Sequence, residues 1–233
     1  MRVLTLDMKM KGFFKGTVIA LLIILGFLLV ETEGLILFLN YPKNSIKATA
    51  STFLAFLPYI ILVTLSISLT REFEYKTDKT IFTGILTRTE IIISKLMSFA
   101  ATGFLCYVFY IIVSIIFGGF SFEGAVNSFI TFIIYTFALG SLTLLVSAIT
   151  SNGIITGMVI YVLHFDLSLA LLGQAMESTK SLFVKSIIEN LPFFIVNTGF
   201  KAGVYTFQQG FIMIVYGVLA LLATFVIINK KNI

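Results

Sequence analysis

Apolar runs long enough to cross a bilayer recur along the whole chain, separated by short polar segments. They cover residues 16–39, 48–69, 96–117, 128–149, 153–172 and 210–228. A helix rises about 1.5 Å per residue and the hydrocarbon core is about 30 Å thick, so about 20 apolar residues make one span. The expectation is an all-α, polytopic membrane protein with six transmembrane helices. Glu31 and Glu33 mark the outer end of the first run. Pro58 lies inside the second, where a kink is expected because neighbouring helices can re-satisfy the carbonyl that proline frees. Gly118, Gly119, Ser121 and Gly124 supply the turn between the third and fourth runs.

Three stretches break this rhythm. Residues 1–15 mix Arg2, Lys9, Lys11 and Lys15 with Leu4, Leu6, Phe13 and Phe14, which suits a short helix in the membrane interface, with a disordered basic tail as the alternative. Residues 70–95 carry Arg71, Glu72, Glu74, Lys76, Asp78, Lys79, Arg88, Glu90 and Lys95 and are expected to leave the membrane as a loop. Residues 173–209 form a semi-polar extracytoplasmic segment. Its apolar run 191–196 is too short to cross and contains Pro192, which reads as an interfacial or re-entrant element before the last span. Just ahead of it, Leu182, Phe183, Ile187 and Ile188 follow helical spacing, while Lys185 and Glu189 form an i,i+4 pair on another face. An amphipathic helix is expected there. Residues 1–233 thus read as one transmembrane domain.

Composition agrees. Hydrophobic residues make up 58% of the chain, charged residues only 12%, and the mean hydropathy is +1.06, against roughly 25% charged residues in a soluble domain. The net charge of +5 does not point to nucleic acid, because the cations sit in loops between apolar runs and not on one soluble face. They act as topology determinants. Placing both termini in the cytoplasm puts eleven of the 16 Lys and Arg inside: four in the N-terminal tail, five in the 70–95 loop and two at the C-terminus. A cleavable signal peptide is not expected, since Val30 is followed by Glu31, Thr32 and Glu33 and not by a small-residue cleavage site. The single cysteine, Cys106, lies in an apolar run, so neither a disulfide framework nor a cysteine metal cluster is expected.

Catalytic signatures are missing: the chain has no H-E-x-x-H, no G-x-S-x-G and no G-x-x-x-x-G-K-[ST] phosphate loop. An enzyme is not expected, and any active process needs an outside energy source. His164 and Asp166 lie inside the fifth run, where ionisable groups default to a functional hypothesis such as a proton relay. On a regular helix, however, i and i+2 point about 200° apart and cannot pair directly. Asp166 lies about 21 Å along that helix from Asn152, near its outer third. Gly153 and Gly157 make a G-x-x-x-G step, a surface for close helix approach, and His164 falls within about 40° of that face. It packs either on a second subunit or within one bundle.

From Arg71 to Lys95 the 70–95 stretch reads REFEYKTDKTIFTGILTRTEIIISK. Glu72 and Phe73 precede Thr77 in an E-F-x-x-x-T block, Arg88 follows eleven residues later and Lys95 seven after that. This spacing, between two spans, resembles the loop of ABC-2 type transporter permeases, although Lys76 stands where that family usually has glycine. An interfacial N-terminal helix, six spans and a re-entrant segment before the last span resemble the same family. The resemblance implies a coupling helix docked on a separate ATPase subunit that carries the ATP and Mg. In that reading Glu72, Phe73, Tyr75, Thr77, Arg88 and Lys95 serve ATPase coupling, and a second, identical or similar permease subunit packs near Gly153 and Gly157. Charges interleaved with Phe73, Tyr75, Ile81, Phe82 and Ile85 suit a docking loop, whereas the competing reading is a solvated topology signal.

The chain is then expected to be the permease of an exporter in the bacterial plasma membrane. Its 25 Phe residues and short loops suit an apolar or amphipathic cargo, and permeases of this size resemble exporters of membrane-active peptides such as phenol-soluble modulins and lantibiotics, with drugs, ions and lipid-linked glycans as competing cargoes. Two rivals remain open: an ion-coupled secondary transporter using His164 and Asp166, and a non-transporting membrane scaffold.

Overall fold

The computed structural model of the chain describes residues 16–24, 26, 46–74, 88–117 and 120–230. These residues are all-α, with no strand among them. After a helical stretch at residues 16–24 come α1 (Ile46–Glu74), α2 (Arg88–Ile116), α3 (Phe122–Thr150), α4 (Gly153–His164), α5 (Asp166–Ser178), α6 (Leu182–Glu189), α7 (Pro192–Ala202) and α8 (Phe207–Lys230).

Four segments among the described residues are long and apolar enough to cross a membrane: Thr89–Ile116, Phe122–Thr150, Gly153–Ser178 and Phe207–Lys230. They match the third to sixth expected runs. α1 contributes a shorter apolar stretch, Thr52–Ser66, and runs through Pro58 as one helix. The first expected span extends beyond the described residues. Large apolar side chains such as Phe104, Ile115, Ile154, Met158, Phe211 and Leu219 face outward from their helices. In water so much exposed apolar surface would drive association, whereas hydrocarbon demands it. The protein is membrane-embedded.

α3 sits at the centre, packed against α1, α2, α4, α7 and α8. Its interior carries many hydroxyls, and the helix satisfies several of them itself. Thr131, Thr136 and Thr143 each donate to the carbonyl four residues back, at 2.9, 2.7 and 2.7 Å. On α8, Gly210, Met213, Gly217, Ala220 and Thr224 are buried at three- and four-residue spacing. Small residues on that stripe let the α8 backbone approach α3: a Cβ at Gly217 would sit 3.2 Å from the Ala138 Cα and 2.7 Å from the Phe137 ring.

Local chemistry sets the helix ends. Ser121 caps α3 by accepting from the Gly124 N–H at 3.1 Å, and Glu123 in the first turn suits the positive end of the helix dipole. α3 and α4 are joined by only Ser151, in the left-handed region at φ 53, and Asn152, whose side chain accepts from the Ile154 and Ile155 N–H groups at 3.0 Å each. Pro192 opens α7 at a position that needs no N–H donor, and Gly203 at φ 75 closes it.

Two expectations change. The fifth run is not one helix: it breaks at Phe165, which has extended backbone angles of φ −119 and ψ −151 between α4 and α5. The 200° separation of His164 and Asp166 on a regular helix therefore does not apply. The polar stretch 70–95 is also largely helical at its ends, because α1 continues to Glu74 and α2 begins at Arg88. The amphipathic helix expected at 182–189 is α6, with Leu182 and Phe183 facing outward. The interfacial segment 1–15 lies outside the described residues.

Candidate functional site: a polar seam at the broken helix

Ending α4 at His164 leaves its last carbonyls without helical partners, which is costly in a membrane unless another group supplies a donor. Asn197 on α7 supplies one: its Nδ2 donates to the His164 carbonyl. The other end of the same amide, Oδ1, accepts from the Tyr135 hydroxyl on α3 at 3.3 Å. The His164 ring in turn shares a 3.0 Å hydrogen bond between Nε2 and the Tyr216 hydroxyl on α8. Through these bonds α3, α4, α7 and α8 meet at one level.

Aromatic rings close the seam off. Phe193 packs on the His164 ring, with centroids 5.0 Å apart, and on Tyr216 at 6.1 Å. Phe200 packs on Tyr135 at 4.2 Å. Phe165 is itself buried, stacked on Tyr161 at 5.7 Å and against Tyr59 of α1 at 5.1 Å. The break is thus held by tertiary contacts on both sides. His164 Nδ1 makes no hydrogen bond of good geometry, although the Ile160 carbonyl lies nearby.

The seam is made of neutral amide and hydroxyl groups and one imidazole, so its chemistry is hydrogen bonding and positioning. No group of three or more His, Cys, Asp or Glu side chains that could hold a metal occurs among the described residues. No family model matches the chain, and no curated protein sequence matches it.

The residues singled out for coupling fall around the junction of α1 and α2, which pack on one another. Glu72 and Phe73 belong to the last turn of α1 and Arg88 is the first residue of α2, while Tyr75 and Thr77 lie outside the described residues. Lys95 is not in a loop: it lies on α2 with 1% of its surface exposed and is engaged by other groups. Gly157 approaches Ser66 of α1, and a Cβ there would lie 3.5 Å from the Ser66 Oγ. His164 is fully buried within the chain, and Asp166 is the first residue of α5.

Asn197, Tyr135 and Tyr216 complete the seam and were not singled out from the sequence. A lone amide in the apolar run after Pro192 was a usable signal for the first. The tyrosines carry no such mark, because a tyrosine in an apolar run most often only packs.

Proposed function

We propose that the chain is the membrane-spanning permease subunit of an ATP-binding cassette exporter of the ABC-2 type, driven by a separate ATPase subunit that binds ATP and Mg. The observation that carries this reading is the spacing of Glu72, Phe73, Thr77, Arg88 and Lys95, which runs from the last turn of α1 into α2, two helices that pack on one another. A protein that moves cargo without its own phosphate loop draws either on an ion gradient or on force received across an interface, and the exporter reading takes the second. A charged segment linking two helices of the bundle suits that role, because a push on it would be transmitted to α1 and α2 together. α6 and α7 would form the re-entrant element ahead of the sixth span. Both termini would be cytoplasmic, a second permease subunit would complete the pathway, and the cargo would be apolar or amphipathic, such as a membrane-active peptide.

The test is Glu72→Lys in the assembled complex. Reversing a charge in a docked contact should lower ATPase co-purification or cargo-stimulated ATP hydrolysis at least about tenfold, equivalent to about 1.4 kcal/mol, while insertion stays normal. If Glu72→Lys and Phe73→Ala both keep full recruitment and export, the segment is only a topology signal.

One observation favours the ion-coupled rival. Transporters of that class bind their ions where a helix is interrupted, and α4 and α5 are interrupted at Phe165. Accumulation of cargo in vesicles that depends on an ion gradient and not on ATP would favour it.

A further inference from the structure

We propose that the cleft between α2 and α3 is a binding site for one acyl chain of a bilayer lipid. The cleft has a volume of about 370 Å³ and is lined by residues of these two helices, among them Ala100, Gly103, Phe104, Tyr107, Phe129 and Thr136. At about 1.5 Å per residue, residues 96–107 lie roughly 10–27 Å from the start of the Thr89–Ile116 span, within the hydrocarbon layer.

Three features select a hydrocarbon chain. First, the mouth is continuous with the apolar face that the two spans turn to the bilayer: Phe104, Phe129 and Ile133 on its rim are 57%, 37% and 52% exposed. Second, its side-chain polar atoms are already engaged. The Tyr107 hydroxyl donates to the Ala125 carbonyl at 3.1 Å and the Thr136 hydroxyl to the Phe132 carbonyl at 2.7 Å. Neither hydroxyl has a donor left to hold a phosphate headgroup, and no charged side chain lines the cleft. Third, the walls are set in place by their neighbours, with the Tyr107 ring 5.2 Å from Phe129 and 5.7 Å from Phe132.

The floor is where α2 and α3 touch, since a Cβ at Gly103 would lie 2.3 Å from the Thr136 Cγ2. Above that contact the helices leave room on the scale of a small ligand pocket, roughly 300–1,000 Å³. Lining atoms without neighbours forfeit dispersion energy, so a cleft open to hydrocarbon fills. The site needs only the membrane-embedded fold, not the exporter function.

Native mass spectrometry of the full chain, washed in detergent, tests the site. Ala100 lines the cleft and is exposed, so Ala100→Phe fills it without disturbing the core. Leu219→Phe, at an outward-facing position on α8, a helix that contributes no residue to the lining, is the control. Wild type and Leu219→Phe should retain one phospholipid mass per chain, and Ala100→Phe should retain it at least about fivefold less, a difference of about 1 kcal/mol. Because the chain has no tryptophan, Phe104→Trp gives a second readout in phosphatidylcholine vesicles with brominated acyl chains. Trp fluorescence should be quenched, and less so when Ala100→Phe is added. The proposal is overturned if wild type retains no lipid, if the retained mass is a peptide, if Ala100→Phe retains as much as wild type, or if bromine fails to quench because protein covers the cleft.

Discussion

A single amide, that of Asn197, satisfies a carbonyl of the broken helix and a tyrosine hydroxyl of the central helix at once, with 1% of the residue exposed. Leucine is similar in shape but has no polar side-chain atoms, so Asn197→Leu would strand the His164 carbonyl and the Tyr135 hydroxyl in an apolar interior. Each stranded group costs about 1–3 kcal/mol. The expected total is about 2–6 kcal/mol, read as a fall of several degrees in the unfolding temperature in detergent. Tyr135→Phe removes one donor and should cost about 1 kcal/mol. Combining the two should cost less than their sum, because the hydroxyl that Asn197→Leu strands is then gone. Equal stability of Asn197→Leu and wild type would mean that water or relaxation replaces the amide and that the seam does not hold the break.

At the scale of elements, the contrast among glycines shows where close packing is required. Gly217→Ala would press a methyl into the Phe137 ring and toward the α3 backbone, at 2.7 and 3.2 Å, and an α-helix backbone cannot yield as a side chain can. Overpacking of this kind costs about 1–3 kcal/mol. Gly173→Ala on α5 meets nothing within 4 Å and should instead be neutral or stabilise by up to about 1 kcal/mol, since alanine favours helix. Thermal unfolding of the two variants side by side checks the packing of α3 on α8. The same elements show what could be read from sequence. The long helices follow from the length of the apolar runs, α6 from the spacing of its apolar residues, and the start of α7 from Pro192. The break at Phe165 was not legible, because the apolar run continues through it with neither glycine nor proline. Tyr59, Tyr161 and Asn197 set it, and their meeting is a product of the tertiary fold. Lys95 was read with the loop for a similar reason: a charge count cannot tell a solvated lysine from one buried on a helix among partners. Of the seam itself, His164 and the Asn197 amide are legible, since an imidazole or an amide in an apolar run attracts notice and tyrosines do not.

For the whole molecule, the decisive question is what supplies energy, and Asp166 separates the two transport readings. It stands at the first position of α5, beside the break, and a single charge near a helix start is in general worth about 0.3–1 kcal/mol. Asparagine keeps the size, loses the charge and exchanges one acceptor oxygen for an amide NH2 donor. Asp166→Asn should therefore fold and insert with stability within about 1 kcal/mol of wild type under either reading. In an ATP-driven exporter the energy enters at the α1–α2 junction, far along the chain from the break, and loss of this carboxylate removes no step of the drive. Export by the reconstituted complex should stay within a few-fold of wild type, a change of under about 1 kcal/mol, and should stop when ATP is withheld. In an ion-coupled transporter the carboxylate is the group a proton or cation would occupy in a span that has no other acidic side chain between residues 153 and 172, and its removal would abolish coupled transport. Normal folding with complete loss of transport in Asp166→Asn, with or without ATP, would move the source of energy from the partner ATPase to the broken helix.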